Sequence, residues 1–84
     1  MTMAINGTVT VRLKEGVLDP EGQTIRRALD QMGFGGVESV RTARLFEIRI
    51  DAPDVETARG RLQEMSAKLL ANPVVETFEV EIDR

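Results

Sequence analysis

The fold of this chain is decided by residues 8–14, which read TVTVRLK, and by residues 15–22, which read EGVLDPEG. Apolar and polar side chains alternate strictly through the first segment, and a two-residue period is typical of a strand with one buried face. In the second segment Asp19 is placed to cap a helix. Pro20 then stands at the first helical position, where no N–H is needed. The two segments predict a strand that turns directly into a helix.

The predicted first helix is amphipathic and ends at a glycine. Its apolar residues recur at helical spacing: Ile25, Ala28, Leu29 and Met32. Gly33 can supply the left-handed residue that ends a helix. Residues 33–36 read GFGG, but a phosphate-binding glycine loop follows a strand and opens a helix, whereas this one closes a helix. We interpret it as a helix stop and a turn.

Two strands are predicted in the middle of the chain, over residues 37–41 and 44–50, with a tight turn near Thr42 and Ala43. The second strand alternates clearly, whereas the first alternates poorly. A second helix is predicted from the opening sequence Ala52-Pro53-Asp54 to the stop at Asn72-Pro73. Its apolar stripe is Val55, Ala58, Leu62, Met65 and Leu69. Residues 74–83 alternate again and predict a last strand.

The order β-α-β-β-α-β predicts an α+β fold of the ferredoxin-like type. In this βαββαβ sandwich, two helices cover one face of a four-stranded antiparallel sheet. The 84 residues leave room for one domain, residues 1–84. So small a core barely offsets the conformational entropy lost on folding, and the edge strands over 37–41 and 74–83 would expose unpaired backbone groups. We therefore expect a homo-oligomer, either a dimer or a tetramer.

Composition argues against two classes of partner. The net charge of −3 and a pI near 4.9 disfavour a nucleic-acid backbone. An RNA-recognition sheet also needs exposed aromatic residues, and Phe46 and Phe78 fall on the predicted core face. No apolar run approaches the roughly 20 residues that span a bilayer, so we expect no membrane association. Residues 1–7 do not resemble a secretory signal, and a cytoplasmic location is expected.

Few side chains could carry catalysis. The chain has no histidine, cysteine or tyrosine, which excludes Ser–His and Cys–His arrangements and a typical zinc site. Charged residues on strand faces, such as Glu79 and Glu81, are interpreted as a solvated face or an interface with another subunit. At Asp19 and Glu21, carboxylates would repel a phosphate. We expect no catalytic, cofactor-binding or metal-binding residue.

Two blocks of sequence, in a chain of this length, resemble the PurS family, the small subunit of phosphoribosylformylglycinamidine (FGAM) synthase. One is the strand from Val9 with the turn that ends at Gly22, and the other runs from Leu69 to Glu76 and reads LLANPVVE. The resemblance extends from about Thr8 to Ile82. Family members usually carry a glycine-lysine pair where this chain has Ala43-Arg44, which changes the predicted turn.

The resemblance implies a role in a larger enzyme. That enzyme uses ATP and magnesium, both bound by a PurL-type synthetase subunit, to form FGAM with nitrogen from glutamine. A PurQ-type glutaminase subunit releases the ammonia. The small subunit would have neither activity, would bind no cofactor itself, and would be a homo-oligomer that bridges the other two and assists ammonia transfer.

Six residues match family positions without being obvious core residues, and we expect them at subunit interfaces: Lys14, Asp19, Arg41, Arg44, Asn72 and Glu76. Local structural roles stay open for several of them. Asp19 and Asn72 can cap helix ends, while Lys14 and Glu76 can be solvated charges at strand ends.

Two other functions use the same topology. A small-molecule-sensing domain of the ACT type is the alternative, since one fold serves many functions. An acylphosphatase-like enzyme would need a glycine-rich anion loop and an arginine after the first strand. Glu15, Asp19 and Glu21 lie there instead, which disfavours that enzyme.

Overall fold

The computed structural model describes residues 1–83. Its elements are β1 (Met3–Leu13), α1 (Pro20–Gln31), β2 (Ala43–Ala52), α2 (Val55–Met65) and β3 (Glu76–Ile82), and a single π-helical turn (Ser66–Leu70) continues α2. The three strands form one antiparallel sheet in the order β2-β1-β3. The α+β class is confirmed, but the expected four-stranded sheet is wrong because one predicted strand does not form.

The strand predicted over residues 37–41 is absent from the described structure, and the chain crosses from α1 to β2 there without strand pairing. Tight two-residue hairpins need residues with positive φ, which asparagine and glycine supply and Thr42 and Ala43 do not. The segment is held by other contacts. Arg41 donates hydrogen bonds to the end of β1, and the Val40 carbonyl lies against Gly22.

The core is built on β1, the central strand. Val9 and Val11 are buried on the face that α2 covers, where they pack with Leu62 and, from the two edge strands, with Phe46 and Phe78 among others. Gly7 lies on the same face. A Cβ atom there would overlap Leu62 Cδ1, so the glycine allows α2 to lie close to the sheet. The alternation predicted for β1 is confirmed.

Helix α1 extends away from this core. Asp19 caps its start as predicted, and Gly33, with a φ of +96°, directly follows the C-cap residue Met32. Gly22 is its one buried residue. Helix α2 packs on all three strands, whereas α1 has no comparable packing against the sheet or against α2. Two helices were expected to cover one face of the sheet, but α2 alone covers it.

The π-helical turn changes which residues of the second helical segment are buried. The Ala71 N–H donates to the Ser66 carbonyl at 2.9 Å, five residues back, and the Ser66 hydroxyl donates to the Leu62 carbonyl at 2.7 Å. Ser66 is buried four residues after Leu62, and the wider turn that follows it brings Ala71 to the same buried side. Met65 and Leu69, which were predicted in the apolar stripe, are exposed.

Within residues 1–83, no helix is long and apolar enough to cross a membrane.

Candidate functional site

Asp19 joins the start of α1 to the start of β2. Its Oδ1 accepts a hydrogen bond from the Gly22 N–H at 2.9 Å, which caps the helix. Its Oδ2 accepts from both the N–H and the hydroxyl of Thr42, at 2.7 Å and 3.0 Å. The backbone hydrogen bond from Thr42 is the largest cause that lowers the pKa of Asp19, followed by that from Gly22. The residue is buried and is held as a carboxylate.

Arg41 fastens the same segment to the end of β1. Its Nη2 donates to the Leu13 carbonyl at 2.8 Å and to the Lys14 carbonyl at 3.2 Å. Lys14 takes part through its backbone, since its N–H donates to the Val75 carbonyl at 2.9 Å. Arg41 and Lys14 are therefore in contact, but the Arg41 guanidinium binds the Lys14 backbone carbonyl and not its side chain.

Arg44, Asn72 and Glu76 form a second cluster. Arg44 Nη2 lies 3.2 Å from Glu76 Oε2, and Glu76 Oε1 accepts from the Asn72 N–H at 2.7 Å. The Arg44 guanidinium also lies 5.7 Å from the centre of the Phe46 ring. Arg44 is largely exposed, so the ion pair contributes little to stability, whereas the bond to Asn72 fixes the start of β3.

The two clusters lie at one end of the sheet, where β1 ends and β2 and β3 begin. A cleft of about 380 Å³ is lined by members of both clusters, among them Asp19, Thr42, Arg44 and Glu76. The fold thus brings together residues that the sequence pattern singles out. Thr42 is not among those residues, and the one signal for it is its position directly after Arg41.

The side chains of Asp19, Arg41 and Glu76 bind mainly backbone groups and so hold neighbouring segments in place. Both oxygens of Asp19 accept hydrogen bonds, and every buried polar side-chain atom of the described residues has a partner. No group of three or more acidic residues in residues 1–83 is placed to hold a metal ion. The cleft carries charged side chains, among them Arg12, Glu21, Arg44 and Glu76.

A second feature is the apolar side of α1. Ile25, Leu29 and Met32 share one face of this helix, and Phe34 follows directly after it. Met32 is 71% exposed and Phe34 is 56% exposed. This face, which we call the α1 apolar face, is not covered by any other described part of the chain.

Comparison with known proteins places the chain in one family. The family model for PurS, described as phosphoribosylformylglycinamidine (FGAM) synthase, matches residues 6–84. The FGAM synthase subunit PurS of Methanocaldococcus jannaschii is 42% identical over 77 residues, which cover 92% of this chain and 93% of that protein. The corresponding subunit of Bacillus subtilis is 39% identical over 75 residues, covering 89% and 88%.

Solved structures agree with the sequence comparison. The crystal structure of M. jannaschii PurS matches with a TM-score of 0.86 and 41% identity over 98% of each chain. A chain in the structure of PurLQS from Thermotoga maritima matches with a TM-score of 0.89 and 28% identity, over 96% of this chain and 99% of that one. The three-stranded architecture is thus shared with these relatives, and this chain belongs to the PurS family of FGAM synthase subunits.

Proposed function

We propose that this chain is the PurS subunit of an FGAM synthase in purine biosynthesis, and that it bridges a PurL-type synthetase subunit and a PurQ-type glutaminase subunit. One observation carries the proposal. The chain matches, over nearly its whole length, a chain in a structure of PurLQS, a complex whose name combines the three subunits. The M. jannaschii relative is likewise described as a subunit of an amidotransferase of the purine biosynthetic pathway.

The chemistry is assigned to the partners. A sequence without histidine, cysteine or tyrosine supports a subunit that has no activity of its own. ATP and magnesium would be bound by the synthetase subunit, and glutamine would be hydrolysed by the glutaminase subunit. The bridging subunit would keep the two sites together and assist the transfer of ammonia between them, in the cytoplasm.

A homo-oligomer is part of the proposal. The radius of gyration is 16.7 Å, and the chain measures 56 × 27 × 14 Å. A compact chain of this length would have a radius of gyration of about 12 Å. The extended shape and the α1 apolar face both favour a second copy that covers this helix. Small domains commonly complete their cores in this way.

Reconstitution tests the bridging role. The purified chain would be mixed with PurL-type and PurQ-type subunits from the same cell, and ATP-dependent formation of FGAM would be measured with glutamine and, separately, with an ammonium salt. We expect the chain to restore the glutamine-dependent reaction and to change the ammonium-dependent reaction little. Full glutamine-dependent activity from the two catalytic subunits alone would reject the proposal.

The ACT-type sensor is not favoured, since the family model and the relatives described above are all PurS. A thermal-shift series with amino acids and nucleotides provides the check. We expect no ligand-dependent increase in Tm for the isolated chain.

A further inference from the structure

The sheet has a second face, opposite α2, that no described helix covers. Side chains alternate between faces along a strand, so the residues between the core positions of β1, β2 and β3 point to this side. Asn6, Thr8 and Thr10 run along its centre, and the flanking residues of β2 and β3 are exposed. We call this the open sheet face.

The open sheet face is acidic. Within the three strands it carries four carboxylates and two guanidinium groups: Glu47, Asp51, Glu79 and Glu81 against Arg12 and Arg49. The register places Glu47 and Glu81 on either side of Thr8, so two carboxylates flank the centre of the sheet. Leu45 is the one large apolar side chain among these positions of the described strands, and it is 59% exposed.

Charge decides which occupant fits this face. A second copy stacked on it would bring the same excess of carboxylates into contact with these, and juxtaposed like charges oppose association. The net charge of the whole chain is also negative, at −3. The α1 apolar face has no such obstacle to pairing with a second copy. The two surfaces are therefore suited to different partners.

We infer that the open sheet face docks a surface rich in lysine and arginine on one of the two catalytic subunits, with Leu45 as its apolar anchor. This inference rests on the proposed function and adds the location and chemistry of one contact. Opposite charges steer the encounter and fix its orientation, and binding through them weakens as salt screens the charges.

The test reverses charge on this face alone. The variant Glu47→Lys/Glu81→Lys would be compared with the matched control Glu15→Lys/Glu38→Lys, which makes the same charge change at exposed residues outside the sheet. Affinity for each purified catalytic subunit would be measured at low and high salt, together with circular dichroism and sedimentation equilibrium. If the lysine variant does not fold, Glu47→Gln/Glu81→Gln removes the two charges with less disturbance.

We expect affinity for at least one catalytic subunit to fall about tenfold or more in the sheet-face variant, with self-association unchanged and the control bound as tightly as the native chain. Native affinity in the sheet-face variant would overturn the inference. Loss of self-association in that variant would also overturn it, because the face would then join copies of this chain. Failure of the native chain itself to bind either subunit would reject the proposed function and this inference with it.

Discussion

Asp19 and Thr42, 23 residues apart in the sequence, are joined by two hydrogen bonds to a single carboxylate oxygen, one from the Thr42 N–H at 2.7 Å and one from its hydroxyl at 3.0 Å. The other oxygen of Asp19 caps α1. One side chain thus sets the position of α1 relative to β2. Since α1 packs little elsewhere, the direction in which it projects depends on this contact.

The variant Thr42→Val should destabilise the chain by about 0.5–1.5 kcal/mol, because it removes the hydroxyl donor and keeps the backbone donor and the branched shape. Urea unfolding followed by circular dichroism measures the change. Thr42→Ser is the matched control, since it retains the hydroxyl, and it should unfold close to the native midpoint. Equal midpoints for the native chain and the valine variant would contradict a role for the hydroxyl.

Acid should weaken the fold through Asp19 and Asp54. Hydrogen bonds from backbone N–H groups, of Thr42 to Asp19 and of Thr57 to Asp54, are the largest causes that lower the pKa of each carboxyl in the folded chain from 3.8. The unfolded chain then binds more protons as the pH falls, so the free energy of unfolding decreases. The stabilisation is fully present above the unfolded pKa and is lost as pH falls through the lower folded pKa, a window from about pH 5 downward.

Unfolding curves of Asp19→Asn across this window provide the measurement. We expect a shallower dependence on pH than in the native chain, and a shallower one still in Asp19→Asn/Asp54→Asn. The comparison is Asp30→Asn, which replaces an exposed carboxyl on α1. If Asp30→Asn flattened the curve as much as Asp19→Asn, the caps would not be the source of the acid sensitivity.

A side chain at Gly7 should be accommodated only if Leu62 shifts. The variant Gly7→Ala forces its Cβ against Leu62 Cδ1 and should cost about 1–3 kcal/mol of stability. Gly60 in α2 has no atom near the position of an added Cβ, so Gly60→Ala should stabilise by about 0.5–1 kcal/mol through better helix propensity. Thermal unfolding of both variants gives the comparison. A Gly7→Ala variant as stable as the native chain would show that Leu62 moves aside without cost and would contradict the prediction.

Local chemistry explains what the sequence could predict. The Asp19-Pro20 start of α1, the glycine that ends it and the alternation of the three strands each depend on neighbouring residues, and each is confirmed. The segment over residues 37–41 depends on contacts with Leu13, Asp19 and Gly22, which are distant in sequence. No local sequence pattern indicates these contacts, so the strand predicted over residues 37–41 is wrong.

The candidate site shows the same division. The sequence predicts Asp19 and Arg41 at subunit interfaces, and the structure gives both an internal role in holding the segment before β2. Their contact with another subunit stays a prediction. The exposure of Leu69 has a different reason, because the π-helical turn over Ser66–Leu70 shifts the helical periodicity by one residue, and no sequence pattern marks that turn. Met65 precedes the turn and is exposed because Ser66, four residues after Leu62, takes the buried position instead.

The α1 apolar face should control self-association. The variant Ile25→Lys/Met32→Lys places two charges on this face. Burying these charges against a second copy would cost more desolvation free energy than the apolar contact contributes. Sedimentation equilibrium at micromolar concentration should show the native chain as an oligomer and this variant as a monomer with unchanged helix content. The control Gln31→Lys adds a charge to an exposed position away from that face and should leave the native state of association. A native chain that is monomeric, or a double-lysine variant that associates like the native chain, would show that α1 does not bind a second copy.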